Sequence, residues 1–243
     1  RDAAHGFPYH EQMLNDLTCW LNGFKAPKED AIRVACIGNS ITDGFGIGMA
    51  PVKGYPAQLQ KKLGDNYEVK NFGVSARTMM NKGDLPYMNE LAWRDAKAFN
   101  PSVVVIKLGT NDTKTHNWTK GAEEFQQSMQ AMIDTLKALP SKPKIYLCSP
   151  IPALKDSWTI KDSVIVNGEM PIIQKLAKKN KCSFVDLHTG FTFADMMQRD
   201  GIHPTAKGAG KIADIIYTAL TTPEKELKAA AKKSAKKRGA KKK

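Results

Sequence analysis

No uninterrupted apolar stretch in these 243 residues approaches the roughly 18 to 20 needed to span a bilayer. The longest are short runs such as Val103-Val104-Val105-Ile106, so a soluble chain with no membrane span is expected. Cysteine is scarce: Cys19, Cys36, Cys148 and Cys182 are the full set of four, and no Cys-x-x-Cys spacing occurs. Neither a disulfide framework nor a zinc site is indicated. Cys36 and Cys148 fall within runs that read as core strands, where a thiol acts as a small apolar group. No internal repeat is found.

Acidic residues are also in short supply, with 24 Asp and Glu against 37 Lys and Arg, a formal charge of +13. The excess is unevenly placed. Residues 224–243 carry ten Lys or Arg against Glu224 and Glu226, a net +8 that leaves +5 for the rest. That tail has almost nothing to bury, so disorder or a frayed solvated helix is its expected state. It can bind polyanions loosely and in a salt-sensitive way, with no specific nucleic-acid readout. The chain starts at Arg1 rather than Met, which fits a trimmed signal, a proteolytic product or an engineered boundary. A secreted or periplasmic location after signal removal is compatible with this, and the compartment stays open.

What the chain does have is enough apolar content, 42%, for one sizeable α/β domain over residues 1–223. Residues 8–24 carry Leu14, Leu17, Trp20, Leu21 and Phe24 at helical spacing and predict an N-terminal packing helix. Strands are expected at 32–37, 67–72, 102–108, 144–149 and 183–187. Between them, helices are expected at 55–63, 86–98, 121–139 and 163–180, the last kinked or broken at Pro171. A final helix should span 204–220, with Pro204 in its first turn. Phe125, Met129, Met132, Ile133 and Leu136 form one apolar stripe, and Trp93 reads as a core or groove anchor. Strands alternating with helices predict a three-layer α/β/α sandwich around a five-stranded parallel sheet.

Chemistry-bearing residues cluster at the ends of these strands. Ser40 lies in Gly38-Asn39-Ser40-Ile41-Thr42-Asp43-Gly44, directly after Ile32-Arg33-Val34-Ala35-Cys36-Ile37. Asp200 and His203 lie in Asp200-Gly201-Ile202-His203-Pro204-Thr205. A serine hydroxyl is a poor nucleophile unless a base takes its proton and a third group holds that base in the right tautomer. Ser40, His203 and Asp200 fit those three roles. Asn71-Phe72-Gly73-Val74-Ser75 and Gly109-Thr110-Asn111-Asp112 each follow a predicted strand and can supply hydrogen-bond donors. The backbone N–H groups of Ser40 and Gly73 with the Asn111 amide would make an oxyanion hole. Structural alternatives exist for each: a capping serine, a turn asparagine, a loop histidine before a helix.

These four blocks, in this order, resemble those of the SGNH (GDSL-type) hydrolase family over roughly residues 32–221. The resemblance implies a flavodoxin-like fold, Ser40, Gly73, Asn111 and His203 as catalytic and oxyanion residues, and Asp200 completing a triad. One departure is Asn39, where the family's first block usually has Asp. Within the family the chain looks most similar to carbohydrate O-acetylesterases, including sialate O-acetylesterases and acetylxylan esterases.

The resulting expectation is a serine esterase acting through an acyl-enzyme on short acyl esters, such as acetyl groups on a glycan, with no cofactor and no metal. Asp200 should raise the titration midpoint of His203 above the ordinary value of about 6.5. Arg77, Trp118 and Trp158 are candidates for substrate contact: the tryptophans as sugar platforms or packing residues, Arg77 as a carboxylate partner or an ion-paired surface residue. A lysophospholipase or thioesterase of the same fold, and a noncatalytic polyanion-binding protein built on the tail, are the alternatives.

Overall fold

The structure is a computed structural model that describes residues 23, 26–191 and 194–223. The predicted helix at 8–24, Cys19 and the basic tail lie outside the described residues.

Five strands form one parallel sheet: β1 (Ile32–Gly38), β2 (Tyr67–Gly73), β3 (Val103–Lys107), β4 (Lys144–Cys148) and β5 (Ser183–Val185). Their spatial order is β2-β1-β3-β4-β5, so the direction of winding reverses between β1 and β3. Register places Gly38 beside Gly73 on one side and Lys107 on the other, which brings the carboxyl ends of three strands level. A crevice opens at such a reversal, and ligands of open α/β sheets bind there.

Side chains alternate across the sheet with the period of two that strand geometry imposes. Val34, Cys36, Val103, Val105 and Cys148 pack on one side with Tyr55, Leu59, Ile212 and Ile216. Ala35, Ile37, Val104, Ile106 and Leu147 pack on the other with Trp93, Phe125, Met129, Ile133 and Ile173. Both faces are therefore covered, which is why these strands are apolar on both sides. A turn of helix carrying Ser40, α1 (Ser40–Asp43), follows β1, and α2 (Tyr55–Leu63) precedes β2. Then come α3 (Leu91–Ala98), α4 (Gly121–Lys137), α5 (Met170–Asn180) and α6 (Ala206–Thr221). The predicted stripe on α4 is fully buried.

Two helix boundaries differ from expectation, and one expected break appears. Residues 86–98 split into a 3₁₀ turn, Tyr87–Asn89, and α3, because Glu90 between them is extended. Residues 163–180 are broken ahead of Pro171, as expected: an α-helical turn, Asp162–Val164, and a π-helical turn, Ile165–Glu169, precede α5. Pro171 has no N–H for the i−4 carbonyl, and the wider turn absorbs that loss. Helix α6 begins at Ala206: Thr205 is its cap, its hydroxyl accepting Gly208 N–H at 3.3 Å. Pro204 therefore precedes the cap instead of sitting in the first turn.

Candidate active site

The turn after β1 is forced by close packing. A Cβ on Gly38 would lie 1.9 Å from Thr42 Oγ1 and 2.8 Å from the Lys107 carbonyl oxygen, so only glycine fits where the chain leaves the sheet. Asn39 is extended, and its Oδ1 accepts Ile41 N–H at 3.2 Å. Ser40 is then the first helical residue, and its backbone N–H has no intrahelical partner.

Helix α1 ends at Gly44, and the loop before α6 returns over it. Ser40 Oγ lies 2.8 Å from His203 Nε2, and His203 Nδ1 lies 2.8 Å from Asp200 Oδ2. The other Asp200 oxygen accepts the N–H groups of Ile202 and His203 at 2.8 and 2.9 Å. Burial works to raise the Asp200 carboxyl, but these two N–H groups and the His203 ring outweigh it and hold it below the usual 3.8. For His203, burial dominates and lowers the imidazole below 6.5; Asp200 pulls it back up and Lys107 pushes it further down. The expected upward shift is thus reversed, because the cost of burying the imidazolium exceeds what one carboxylate returns.

Asn111 follows β3 and is nearly buried. One of its amide N–H groups donates to the Arg77 carbonyl at 3.1 Å; the second has no acceptor among the described residues. Its backbone carbonyl oxygen accepts from Asn117 Nδ2 at 2.9 Å. The neighbouring Asp112 carboxylate takes the N–H groups of Met79 and Met80 at 2.9 and 2.7 Å, tying the loop after β2 to that after β3. Burial lifts Asp112 to about 7 despite those two donors.

Gly73 does not reach the cleft. Its N–H donates to Asn71 Oδ1 at 2.8 Å, and a Cβ there would stand 2.2 Å from Asp43 N and 2.6 Å from Thr42 C. Its lack of a side chain lets β2 lie against α1, which is a packing function. Ala76, three residues on, lines the cleft instead. It holds a left-handed φ of 68°, and its N–H has no acceptor among the described residues. Nothing in the residue type of an alanine marks such a position; the signal is its place immediately after the Asn71–Ser75 block.

The cleft has a volume of about 330 Å³. Ser40, Ala76, Asn111 and His203 all line it. Phe45 and Trp158 flank the imidazole, with ring centroids 4.7 and 5.5 Å from that of His203. Both are about half exposed, Phe45 at 50% and Trp158 at 55%, so each offers an aromatic face at the rim. Trp158 and Thr159 both have positive φ, 52° and 60°, a costly conformation for a β-branched residue such as threonine. Ser157 Oγ donates to the Asp200 carbonyl at 2.6 Å and pins this loop to the one that carries His203.

Of the other predicted contact residues, Arg77 points away and pairs with Glu90 at 2.7 Å. Trp118 packs on Phe125 at a centroid distance of 6.1 Å and covers Gly168, outside the cleft. A larger groove of about 470 Å³ lies at the opposite ends of β4 and β5, lined by Lys137, Lys144 and Lys181, and brings no histidine or carboxylate.

A parallel 2-1-3-4-5 sheet with a serine, a histidine and an aspartate aligned at its winding reversal defines a hydrolase of the flavodoxin-like α/β class. Residues 36–211 match the GDSL-like lipase/acylhydrolase family, and the chain belongs to that family of ester hydrolases. It is 56% identical over 232 residues to an acetylxylan esterase of Xylanibacter ruminicola, covering 88% of this chain and 48% of that protein. The chain thus spans about half the length of that relative. Among solved structures it resembles the acetyl xylan esterase AlAXEase, with TM-score 0.62 and 27% identity over 78% of this chain and all of that one. The M. smegmatis aryl esterase shares the fold with TM-score 0.66 and 22% identity over 78% of this chain and 98% of its own. Among the described residues no helix is long and apolar enough to cross a membrane.

Proposed function

We propose that this chain is a serine esterase that removes acetyl groups from a carbohydrate, with Ser40 as nucleophile, His203 as general base and Asp200 as the group that orients it. The observation that carries the reading is the unbroken line from Ser40 Oγ through the imidazole to the Asp200 carboxylate, each link 2.8 Å. Asp200 accepts from Nδ1–H, which leaves the Nε2 lone pair facing the serine hydroxyl. As Ser40 Oγ bonds to the ester carbonyl carbon, its proton passes to His203 Nε2 and the carbonyl becomes an oxyanion. The imidazolium gives that proton to the departing sugar oxygen, and an acetyl-serine is left. Water, deprotonated by the same nitrogen, attacks the acetyl carbon; the proton returns to Ser40 Oγ as acetate leaves.

The oxyanion needs donors already in place, each worth about 10²–10³ in rate. The Ser40 and Ala76 N–H groups and the free N–H of the Asn111 amide are suited to this, since none has another acceptor among the described residues. A cleft of about 330 Å³ suits a small acyl group, being near the lower end of the usual range for ligand sites. Aromatic faces at the rim suit the apolar face of a pyranose, and the acetylxylan esterase relative supports acetylated xylan as the first substrate to try. The test is acetate release from acetylated xylan and from aryl esters of increasing acyl length. Wild type should act on acetyl esters and fall steeply with chain length, and Ser40→Ala should fold normally yet lose nearly all turnover. Wild-type turnover in Ser40→Ala refutes the nucleophile, and an optimum at eight or more carbons would transfer the reading to a lysophospholipase or thioesterase.

A further inference from the structure

A buried lysine lies beneath the nucleophile turn, and the chemistry above makes no use of it. Lys107 is the last residue of β3, and its side chain is fully enclosed. The amine donates to Thr110 Oγ1 at 3.2 Å and to Asn39 Oδ1 at 3.4 Å. That Asn39 oxygen is the same atom that accepts Ile41 N–H and caps α1 at Ser40. Thr110 directly precedes Asn111. One amine therefore bridges the two turns that carry the nucleophile and the side-chain donor.

The surroundings make this an expensive place for a cation. Asn39 Nδ2 and both carboxylate oxygens of Glu169 are buried without a hydrogen-bond partner. Glu169 ends the π-helical turn, and its Oε2 lies 2.7 Å from where a Cβ on Gly109 would stand. Burial draws the Lys107 amine down to about 7, against the opposing pull of Cys148 and Glu169. Burial pushes the Glu169 carboxyl up, reinforced by Asp112 and relieved by Lys107. The groups facing the amine are thus Cys148 on β4, Glu169 before α5, and His203, which itself faces Asp200. Replacing a set of buried charges whole by apolar groups is often neutral or stabilising, whereas removing one member leaves the other uncompensated.

We propose that Lys107 is a positioning residue: by clamping the Asn39 side chain and the Thr110 hydroxyl, its buried amine fixes the Ser40 turn and the Asn111 turn in mutual register. The proposal rests on Ser40 being the nucleophile. It also gives Asn39 a role where the related motif has an aspartate. An amide oxygen accepts from the amine whether or not the amine is protonated, since a neutral amine keeps two N–H donors for Asn39 and Thr110.

The test measures pH–rate profiles on an aryl acetate for wild type, Ser40→Ala, Lys107→Met, Asn39→Ala and the Lys107→Met/Asn39→Ala pair. Lys107→Met should lower kcat about tenfold to a hundredfold, the scale of a small misplacement of reacting groups, with KM little changed. Its acid limb should move to higher pH, because an ammonium near His203 opposes the imidazolium and its removal lifts that opposition. The pair should lose no more than the worse single variant, as expected of two residues acting through one contact. Wild-type kcat with an unmoved acid limb in Lys107→Met, or fully additive losses in the pair, overturns the proposal. If Lys107→Met does not fold because Glu169 is left alone, Lys107→Met/Glu169→Gln removes both groups, and wild-type kcat in it overturns the proposal equally. Retained turnover in Ser40→Ala is a separate result that sinks the nucleophile and the clamp with it, whereas a lost turnover in Ser40→Ala beside an unaffected Lys107→Met sinks the clamp alone.

Discussion

Replacing Asp200 by asparagine probes the tautomer of His203 with almost no change of shape. The carboxylate accepts three hydrogen bonds: Oδ1 from the Ile202 and His203 backbones at 2.8 and 2.9 Å, Oδ2 from the ring at 2.8 Å. An asparagine keeps its oxygen on the two backbone donors, so its NH₂ turns toward Nδ1. Two donors cannot face each other, and the ring proton moves to Nε2, opposite Ser40 Oγ at 2.8 Å. The imidazole then has no lone pair for the serine proton. The same exchange in a Ser-His-Asp protease costs about 10⁴ in kcat, or about 5–6 kcal/mol at roughly 1.4 kcal/mol per tenfold. We expect a loss of that order in kcat on an aryl acetate, with KM little affected, followed across pH. In wild type the acid limb should fall below the ordinary histidine value of 6.5, since burial lowers His203 more than Asp200 raises it. Asp200 itself titrates below 3.8 in the fold, so its stabilising contribution is present above 3.8 and lost as pH falls through the folded value. Asp200→Asn should therefore flatten the acid dependence of stability in that window. A loss of less than tenfold in kcat would refute the assignment of Asp200 as the orienting group.

Gly73→Ala should destabilise the fold by about 1–3 kcal/mol, because the new methyl meets the backbone of Thr42 and Asp43 where neither can yield. An unchanged denaturant midpoint would contradict its packing role. Trp158→Ala should raise KM for acetylated xylo-oligosaccharides about two- to tenfold, since an aromatic contact is worth about 0.5–1.5 kcal/mol, while kcat on an aryl acetate stays close to wild type. Equal KM for the oligosaccharide in both proteins would remove Trp158 from the substrate path.

Much of the architecture is legible along the chain because its signals are local. Runs such as Val103–Ile106 carry the apolar content of a strand covered on both faces, and the α4 stripe has the period of a helix with one buried side. Parallel pairing follows once the elements alternate and the crossovers take one hand, but the strand order, β2-β1-β3-β4-β5, is set by the fold. The boundaries that escaped, at Glu90 and Pro204, each turn on one residue's backbone angle or missing donor, whereas the break at Pro171 is legible from proline itself.

The residues of the site divide in the same way. Ser40 and Asn111, just after strands, and Asp200 and His203, just before the final helix, stand out because their chemistry and those places are written in the chain itself, though Ser40 and His203 are 163 positions apart. Which backbone N–H is free to meet an oxyanion is not written there: Gly73 spends its N–H on Asn71, while Ala76 keeps its own, and only the folded hydrogen-bond pattern separates them. Trp118 and Trp158 read alike as residues, yet one is packed under Gly168 and the other stands beside the imidazole. Lys107 looked like one more lysine in a basic chain until the sheet buried it against Asn39. Composition and periodicity act over a few residues, so they decide elements and chemistry; partner choice and burial act across the whole fold, and tertiary structure alone decides those.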